Sequence, residues 1–131
     1  MARETQFVAR ILIIDDDDPL RHMLCQALEQ AGYETVEARD GQEGLEHFRA
    51  TPADLIITDI LMPGKEGLET IMELRRAIPG VKIIAISGGG QTGNMTFLEV
   101  ARYLGAQRAL QKPFELRELL KAVHEVLESQ A

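Results

Sequence analysis

The fold is indicated first by residues 10–19, whose sequence is RILIIDDDDP. The apolar run that opens this stretch has the length and the β-branched composition of a buried strand. Asp18 followed by Pro19 is typical of a helix start, since aspartate caps helices and proline is favoured in their first turn. The stretch therefore predicts a strand over Arg10–Ile14 that leads directly into a helix ended by Gly32.

The rest of the chain repeats this alternation of short apolar runs and amphipathic segments. Further strands are predicted at residues 34–38, 55–58, 81–86 and 108–111, and further helices after Asp40 and at residues 67–77, 94–104 and 115–128. Helical spacing places Met23 and Met72 among the side chains expected to face the core. Five strand–helix units are too few for an eight-stranded barrel. They predict the α/β fold class, with an open, doubly wound sheet of five parallel strands and helices on both faces.

Composition limits the classes of function. A chain of 131 residues suits a single domain over residues 1–131, without an output domain. Its net charge of −7 argues against direct nucleic-acid binding, which needs a basic face. The single cysteine, Cys25, suits a reducing compartment, and no apolar run is long enough for a signal peptide or a membrane span. We therefore expect a cytoplasmic protein that contacts neither nucleic acid nor membrane.

Polar residues follow four of the predicted strands. Asp15 and Asp16 end the first strand, Asp59 the third, Ser87 the fourth and Lys112 the fifth. Because ligand sites of open parallel sheets lie beyond the carboxyl ends of the strands, we expect these side chains to meet at one rim.

Three carboxylates at one rim are costly without a counter-charge. Two unit charges about 4 Å apart repel by roughly 4 kcal/mol at an effective dielectric constant near 20. Three such pairs cost on the order of 12 kcal/mol, comparable with a whole domain's stability of about 5–15 kcal/mol. Oxygen ligands without histidine or cysteine favour a hard cation such as Mg²⁺. Helix capping is the alternative for the aspartates of residues 15–18, but it does not explain Asp59.

Together these motifs resemble the receiver domain of bacterial response regulators. The resemblance is carried by the sequences ILIIDD (residues 11–16), DILMP (59–63) and KPF (112–114), with Gly67 and Ser87 between them. It covers essentially the whole chain and implies a flavodoxin-like strand order 2-1-3-4-5.

The resemblance also implies a role for each site residue. Asp59 is expected to accept the phosphoryl group, and Lys112 and Ser87 to contact phosphoryl oxygens. Mg²⁺ is expected on Asp16 and Asp59, with Asp15 helping through water and the backbone carbonyl of Leu61 as a further ligand. The bond between Lys112 and Pro113 is usually cis in this family.

The implied function is that of a stand-alone, phospho-accepting receiver in a two-component system or phosphorelay. Its donor is expected to be a sensor histidine kinase or a histidine phosphotransfer protein, and its output a changed surface for a downstream protein target. Such a protein is a signalling switch and not a general enzyme, because it catalyses only its own phosphorylation and dephosphorylation. Ala109 stands where the family usually has an aromatic residue, so we expect switching to involve the segment from Gly88 to Leu104 instead.

Other functions fit the sequence less well. Residues 88–93 (GGGQTG) match a dinucleotide-binding fingerprint, but they follow the fourth strand and not the first. Ser87 loosely resembles a hydrolase nucleophile elbow, yet no histidine falls on a suitable loop. A phosphohydrolase of the haloacid-dehalogenase type resembles this sheet but carries a second aspartate where this chain has Leu61. A receiver that acts only as an interaction surface would be expected to lack Asp59, Asp16 or Lys112.

Overall fold

A parallel sheet of five strands runs through the computed structural model, which describes residues 8–60, 66–88, 91–92 and 95–129. Its strands are β1 (Arg10–Ile14), β2 (Glu34–Ala38), β3 (Leu55–Asp59), β4 (Ile83–Ser87) and β7 (Arg108–Gln111). They are arranged in the order β2-β1-β3-β4-β7, and every neighbouring pair is parallel. This confirms the predicted fold class and the 2-1-3-4-5 order of the sheet strands. A short antiparallel pair, β5 (Gln91–Thr92) and β6 (Met95–Thr96), lies outside this sheet.

Helices cover both faces of the sheet. They are α1 (Asp18–Gln30), α2 (Gly41–Ala50), α3 (Glu66–Ala77), α4 (Phe97–Tyr103) and α5 (Leu116–Glu128). Alternate residues of β1 point to opposite faces, so Ile11 and Ile13 pack with α1 and α5, while Leu12 and Ile14 pack with α2, α3 and α4. Burying each such side chain stabilises the fold by about 1.5–3 kcal/mol, which anchors the residues at the carboxyl end of β1. No helix in the described ranges is long and apolar enough to cross a membrane.

The first helix begins one residue earlier than its sequence indicated. Asp17, and not Asp18, is the N-cap, since its Oδ1 accepts a hydrogen bond from the N–H of Leu20 at 3.1 Å. Asp18 and Pro19 are the first two helical residues. In a run of four aspartates, the cap is chosen by the register of the preceding strand, which the local pattern does not reveal.

Two methionines expected in the core are on the surface. Met23 is 46% exposed and Met72 is 44% exposed. The buried face of α1 includes Arg21, and that of α3 includes Thr70, so each helix is rotated by about one residue from the face that apolar residues alone predict. The prediction was wrong because both buried faces contain a polar side chain.

The fourth helix begins later than the predicted Asn94, which lies outside the described residues. Its first residue is Phe97, and Thr96 is the N-cap. The N–H of Glu99 donates to Thr96 Oγ1 at 3.1 Å, and the N–H of Thr96 donates to Glu99 Oε1 at 2.8 Å. This reciprocal capping box fixes the start of α4, and the preceding residues form β6.

Candidate functional site

The three aspartates predicted at the rim lie close together at the carboxyl end of the sheet. Asp59 is the last residue of β3, and Asp15 directly follows the neighbouring β1. Each of Asp15, Asp16 and Asp59 offers one carboxylate oxygen, and these three oxygens lie within 4.8 Å of one another. Asp15 and Asp59 are buried, whereas Asp16 is exposed. The cluster is therefore open to solvent on the side of Asp16.

Lys112 brings a positive charge to this cluster. Its Nζ lies 3.0 Å from Asp59 Oδ2 and 3.6 Å from Asp15 Oδ2. Burial acts to lower the pKa of Lys112, but its hydrogen bond to Asp59 and the nearby Asp15 outweigh burial and raise that pKa. The ammonium group therefore keeps its charge at neutral pH. As the resemblance implies, the bond from Lys112 to Pro113 is cis.

The carboxylate of Asp15 is incompletely satisfied. Its Oδ1 accepts a hydrogen bond from the N–H of Asp17 at 2.9 Å, but its buried Oδ2 has no hydrogen-bond partner among the described residues. Burial, followed by repulsion from Asp59 and Asp16, raises the pKa of Asp15 against the opposing effects of the Asp17 hydrogen bond and Lys112. A buried acceptor without a partner costs about 1–3 kcal/mol. A cation would remove this cost, and an all-carboxylate donor set suits a hard ion such as Mg²⁺.

Ser87 occupies the end of the next strand. It is fully buried as the last residue of β4, one position after Ile86, the register partner of Asp59. The backbone carbonyl of Ser87 accepts a hydrogen bond from the N–H of Lys112 at 2.7 Å. The ends of β3, β4 and β7 are thus joined at the rim. Leu61, the predicted carbonyl ligand, lies outside the described residues.

One buried polar residue beside the cluster was not predicted from the sequence. Arg21 is buried in α1, and its Nη1 donates to the backbone carbonyl of Asp15 at 2.7 Å. The sequence carries a weak signal for it, since Asp18 and Arg21 are spaced to form an ion pair on one helical face. That ion pair is present, with 2.7 Å between Arg21 Nη2 and Asp18 Oδ1.

An apolar groove leads away from the cluster. It has a volume of about 430 Å³ and is lined by the following side chains from the start of α1 and from the loop that leads into α5: Leu20, Met23, Lys112, Pro113, Phe114 and Leu116. Met23 and Leu116 are among the large apolar side chains that are notably exposed in the described part of the chain. Lys112 belongs to both the groove and the cluster, so the groove places apolar surface beside the residue that pairs with Asp59.

Comparison with known proteins identifies the same kind of domain. The family described as "Response regulator receiver domain" matches residues 11–124. The response regulator receiver protein CpdR of Brucella abortus is 32% identical over 118 residues, which cover 90% of this chain and 96% of that protein. The chemotaxis protein CheY of Thermotoga maritima is 34% identical over 118 residues, which cover 89% of this chain and 96% of that protein.

A solved structure agrees with these sequence relatives. The crystal structure of a CheY-like response regulator receiver domain protein from Methanospirillum hungatei superposes with a TM-score of 0.84 at 32% sequence identity. The superposition covers 93% of this chain and 95% of that chain. The similarity therefore extends over nearly the full length of both molecules.

Proposed function

This chain belongs to the response regulator receiver domain family, and on that premise we propose that its phosphoryl acceptor is Asp59. It is a receiver domain of a two-component response regulator, and receivers of this family are phosphorylated on an aspartate with the help of Mg²⁺. The observation that carries the proposal is the position of Asp59 at the end of a central strand, 3.0 Å from the ammonium group of Lys112.

The chemistry of the transfer suits these groups. A carboxylate oxygen of Asp59 attacks the phosphorus of a phosphohistidine, an O–P bond forms, and the P–N bond breaks. The imidazole leaves with the bonding electron pair and takes up a proton. Phosphoryl transfer depends mainly on positioning and charge neutralisation. Lys112 already pairs with Asp59 and is placed to pair with a phosphoryl oxygen, and we assign a second oxygen to the hydroxyl of Ser87.

We assign the metal to Asp15, Asp16 and Asp59, with the carbonyl of Leu61 as a further ligand. The buried Oδ2 of Asp15, which has no hydrogen-bond partner among the described residues, and the short distances between the three carboxylates support this assignment. When bound, Mg²⁺ supplies positive charge for the phosphoryl oxygens. The chain itself excludes water from Asp15 and Asp59 and leaves Asp16 exposed at the mouth of the cluster.

The groove beside Lys112 supports a protein as the phosphodonor. Receivers of this family interact with histidine kinases and downstream effectors. We propose that a sensor histidine kinase or histidine phosphotransfer protein covers the exposed Met23 and Leu116 while its phosphohistidine reaches Asp59.

The single free cysteine, Cys25, is a buried thiol, which agrees with action in the cytoplasm.

For the output, we propose a switch that does not use an aromatic residue on β7. Ala109 is half-buried on that strand and has no rotamer to change. Tyr103, at the end of α4, is 83% exposed and lies on a helix instead of on the strand where the family carries its aromatic residue. Capture of Ser87 by the phosphoryl group would instead act on the segment from Gly88 to Leu104, which joins β4 to β7.

Labelling with a small acyl phosphate tests the assignment of Asp59. Intact-mass spectrometry should show one added phosphoryl group on the wild-type chain with Mg²⁺ and none after chelation. The variant Asp59→Asn should gain none under either condition. Asp54→Asn, which changes an exposed aspartate at the opposite end of β3, is the matched control and should be labelled normally. Robust labelling of Asp59→Asn would overturn the assignment.

A further inference from the structure

Arg21 combines a full positive charge with almost complete burial. Its side chain is 6% exposed, and each of its three guanidinium nitrogens has a partner. Nη1 donates to the backbone carbonyl of Asp15 at 2.7 Å, Nε to Glu37 Oε1 at 2.8 Å, and Nη2 lies 2.7 Å from Asp18 Oδ1. A buried charge persists only when it is paired in this way, because the desolvation of an unpaired ion is costly.

The hydrogen bond from Arg21 to Asp15 is made just beyond the last residue of β1 that pairs in the sheet. The N–H of Asp15 still donates to Ala38 of β2 at 3.1 Å, but its carbonyl lies beyond the paired residues of β1 and accepts from Arg21 instead. The N–H of Arg21 donates to the carbonyl of Asp17 at 2.9 Å as the first main-chain bond of α1. The side chain of Arg21 thus connects α1 to the residue that follows β1, at the turn that presents Asp15 and Asp16.

The charge of Arg21 is balanced away from the carboxylate cluster. Its ion-pair partners are Glu37, near the end of β2, and Asp18, at the start of α1. Neither belongs to the group of Asp15, Asp16 and Asp59. The main effect of Arg21 on that group is therefore geometric, and it depends on the planar fork of the guanidinium, which lysine lacks.

We propose that Arg21 is a positioning residue for the metal site, which holds the Asp15–Asp17 turn in the geometry that binds Mg²⁺. This inference rests on the proposed metal site and adds to it a residue outside the carboxylate cluster. Groups that hydrogen-bond to metal ligands without contacting the metal commonly contribute about 10–100-fold to metal affinity. We expect a loss of that size when the fork of Arg21 is removed.

The test compares two arginines at opposite ends of β1. Arg21→Lys keeps the charge and loses the fork. Arg10→Lys is the matched control, since Arg10 also joins a carboxylate, Glu34, and a backbone carbonyl, that of Pro52, but at the other end of β1. Calorimetric titration with MgCl₂ should show a dissociation constant at least about 10-fold weaker for Arg21→Lys and unchanged for Arg10→Lys.

A second readout separates positioning from general support of the fold. Urea unfolding is measured with and without saturating Mg²⁺. The increase in the free energy of unfolding on adding metal is then compared between variants. A 10-fold weaker affinity reduces this gain by about 1.4 kcal/mol for Arg21→Lys. If Arg21 only supported the fold, Arg21→Lys would lower both urea midpoints and leave the increase on adding metal unchanged. That result would overturn the inference.

The outcomes distinguish the inference from its premise. If the wild-type chain binds no Mg²⁺, the proposed metal site is wrong. If it binds Mg²⁺ and Arg21→Lys binds it equally well, the role of Arg21 is wrong. Should Arg21→Lys fail to fold, Glu37→Gln takes its place, because it weakens the anchoring of the guanidinium from a more exposed position. Unchanged affinity in that variant would then overturn the proposal.

Discussion

Replacing Asp15 by asparagine should make the metal-free protein more stable. The carboxylate is 1% exposed, and its Oδ2 has no hydrogen-bond partner among the described residues. Asparagine keeps the oxygen that accepts from the N–H of Asp17 and removes the buried charge. Since the pKa of Asp15 is raised first by burial, the folded state of the metal-free protein disfavours the ionised form that asparagine replaces.

The size of this effect follows from the local charges. At an effective dielectric constant of 20, Lys112 at 3.6 Å attracts Asp15 by about 4–5 kcal/mol, and Asp59, with an oxygen within 4.8 Å, repels it by at least about 3.5 kcal/mol. These opposing interactions leave a small remainder, because Lys112 is also shared with Asp59. The buried charged oxygen without a hydrogen bond from the described residues then decides the sign, and its removal is worth about 1–3 kcal/mol. With a urea dependence of about 2 kcal/mol per molar, the midpoint rises by about 0.5–1.5 M.

Urea unfolding followed by circular dichroism, in buffer with a chelator, measures this change. Glu46→Gln is the matched control, because it removes one negative charge from the exposed surface of α2 while keeping the acceptor for Gln42. Its midpoint should be nearly unchanged. With saturating Mg²⁺ the advantage of Asp15→Asn should shrink or reverse, since the wild-type chain alone keeps the full donor set. A lower metal-free midpoint for Asp15→Asn would refute the reasoning.

Three further predictions concern the metal, the lifetime of the phosphoryl group and the switch. Asp16→Asn should abolish Mg²⁺ binding in calorimetry and should raise the metal-free urea midpoint, because it relieves like-charge repulsion; a lower midpoint would argue against repulsion within the cluster. Gly88→Ala and Gly88→Thr should lengthen the half-life of the phosphorylated form, because Gly88 is exposed, no atom of the described residues lies within 4 Å of an added Cβ, and the new side chain can shield the acyl phosphate. Half-lives unchanged from the wild-type value in both variants would mean that water access is controlled elsewhere. A phosphoryl mimic should change hydrogen exchange mainly across residues 88–104, and a response abolished by Tyr103→Ala would contradict the proposed switch.

Much of the fold was predictable because its three central strands, β1, β3 and β4, are short apolar runs. The bounds of β1, β2 and β7 agree with the sequence-based prediction, and β3 continues one residue further, to Asp59. The fourth strand is Ile83–Ser87 and not 81–86, because Val81 and Lys82 precede the paired segment as the connection from α3. A buried apolar residue such as Val81 looks the same in sequence whether or not it is paired.

The convergence of the site residues was predictable for a different reason. In a parallel sheet all carboxyl ends lie at one edge, so the strand assignments already brought Asp15, Asp59 and Lys112 together. The helix faces were less predictable, because the buried positions of Arg21 and Thr70 depend on partners that are distant in sequence. Arg21 is stabilised there by Glu37 of β2, and apolar periodicity contains no information about such a pair.

The most direct test of phosphoryl transfer to Asp59 is to locate the phosphoryl group on the wild-type chain. The protein is labelled by an acyl phosphate with Mg²⁺, digested, and its peptides are sequenced by tandem mass spectrometry. The modification should be confined to the peptide that carries Asp59 and should be absent from a chelator-treated sample. A phosphoryl group on Asp15, Asp16 or any other residue, or one that forms equally without the metal, would contradict the account.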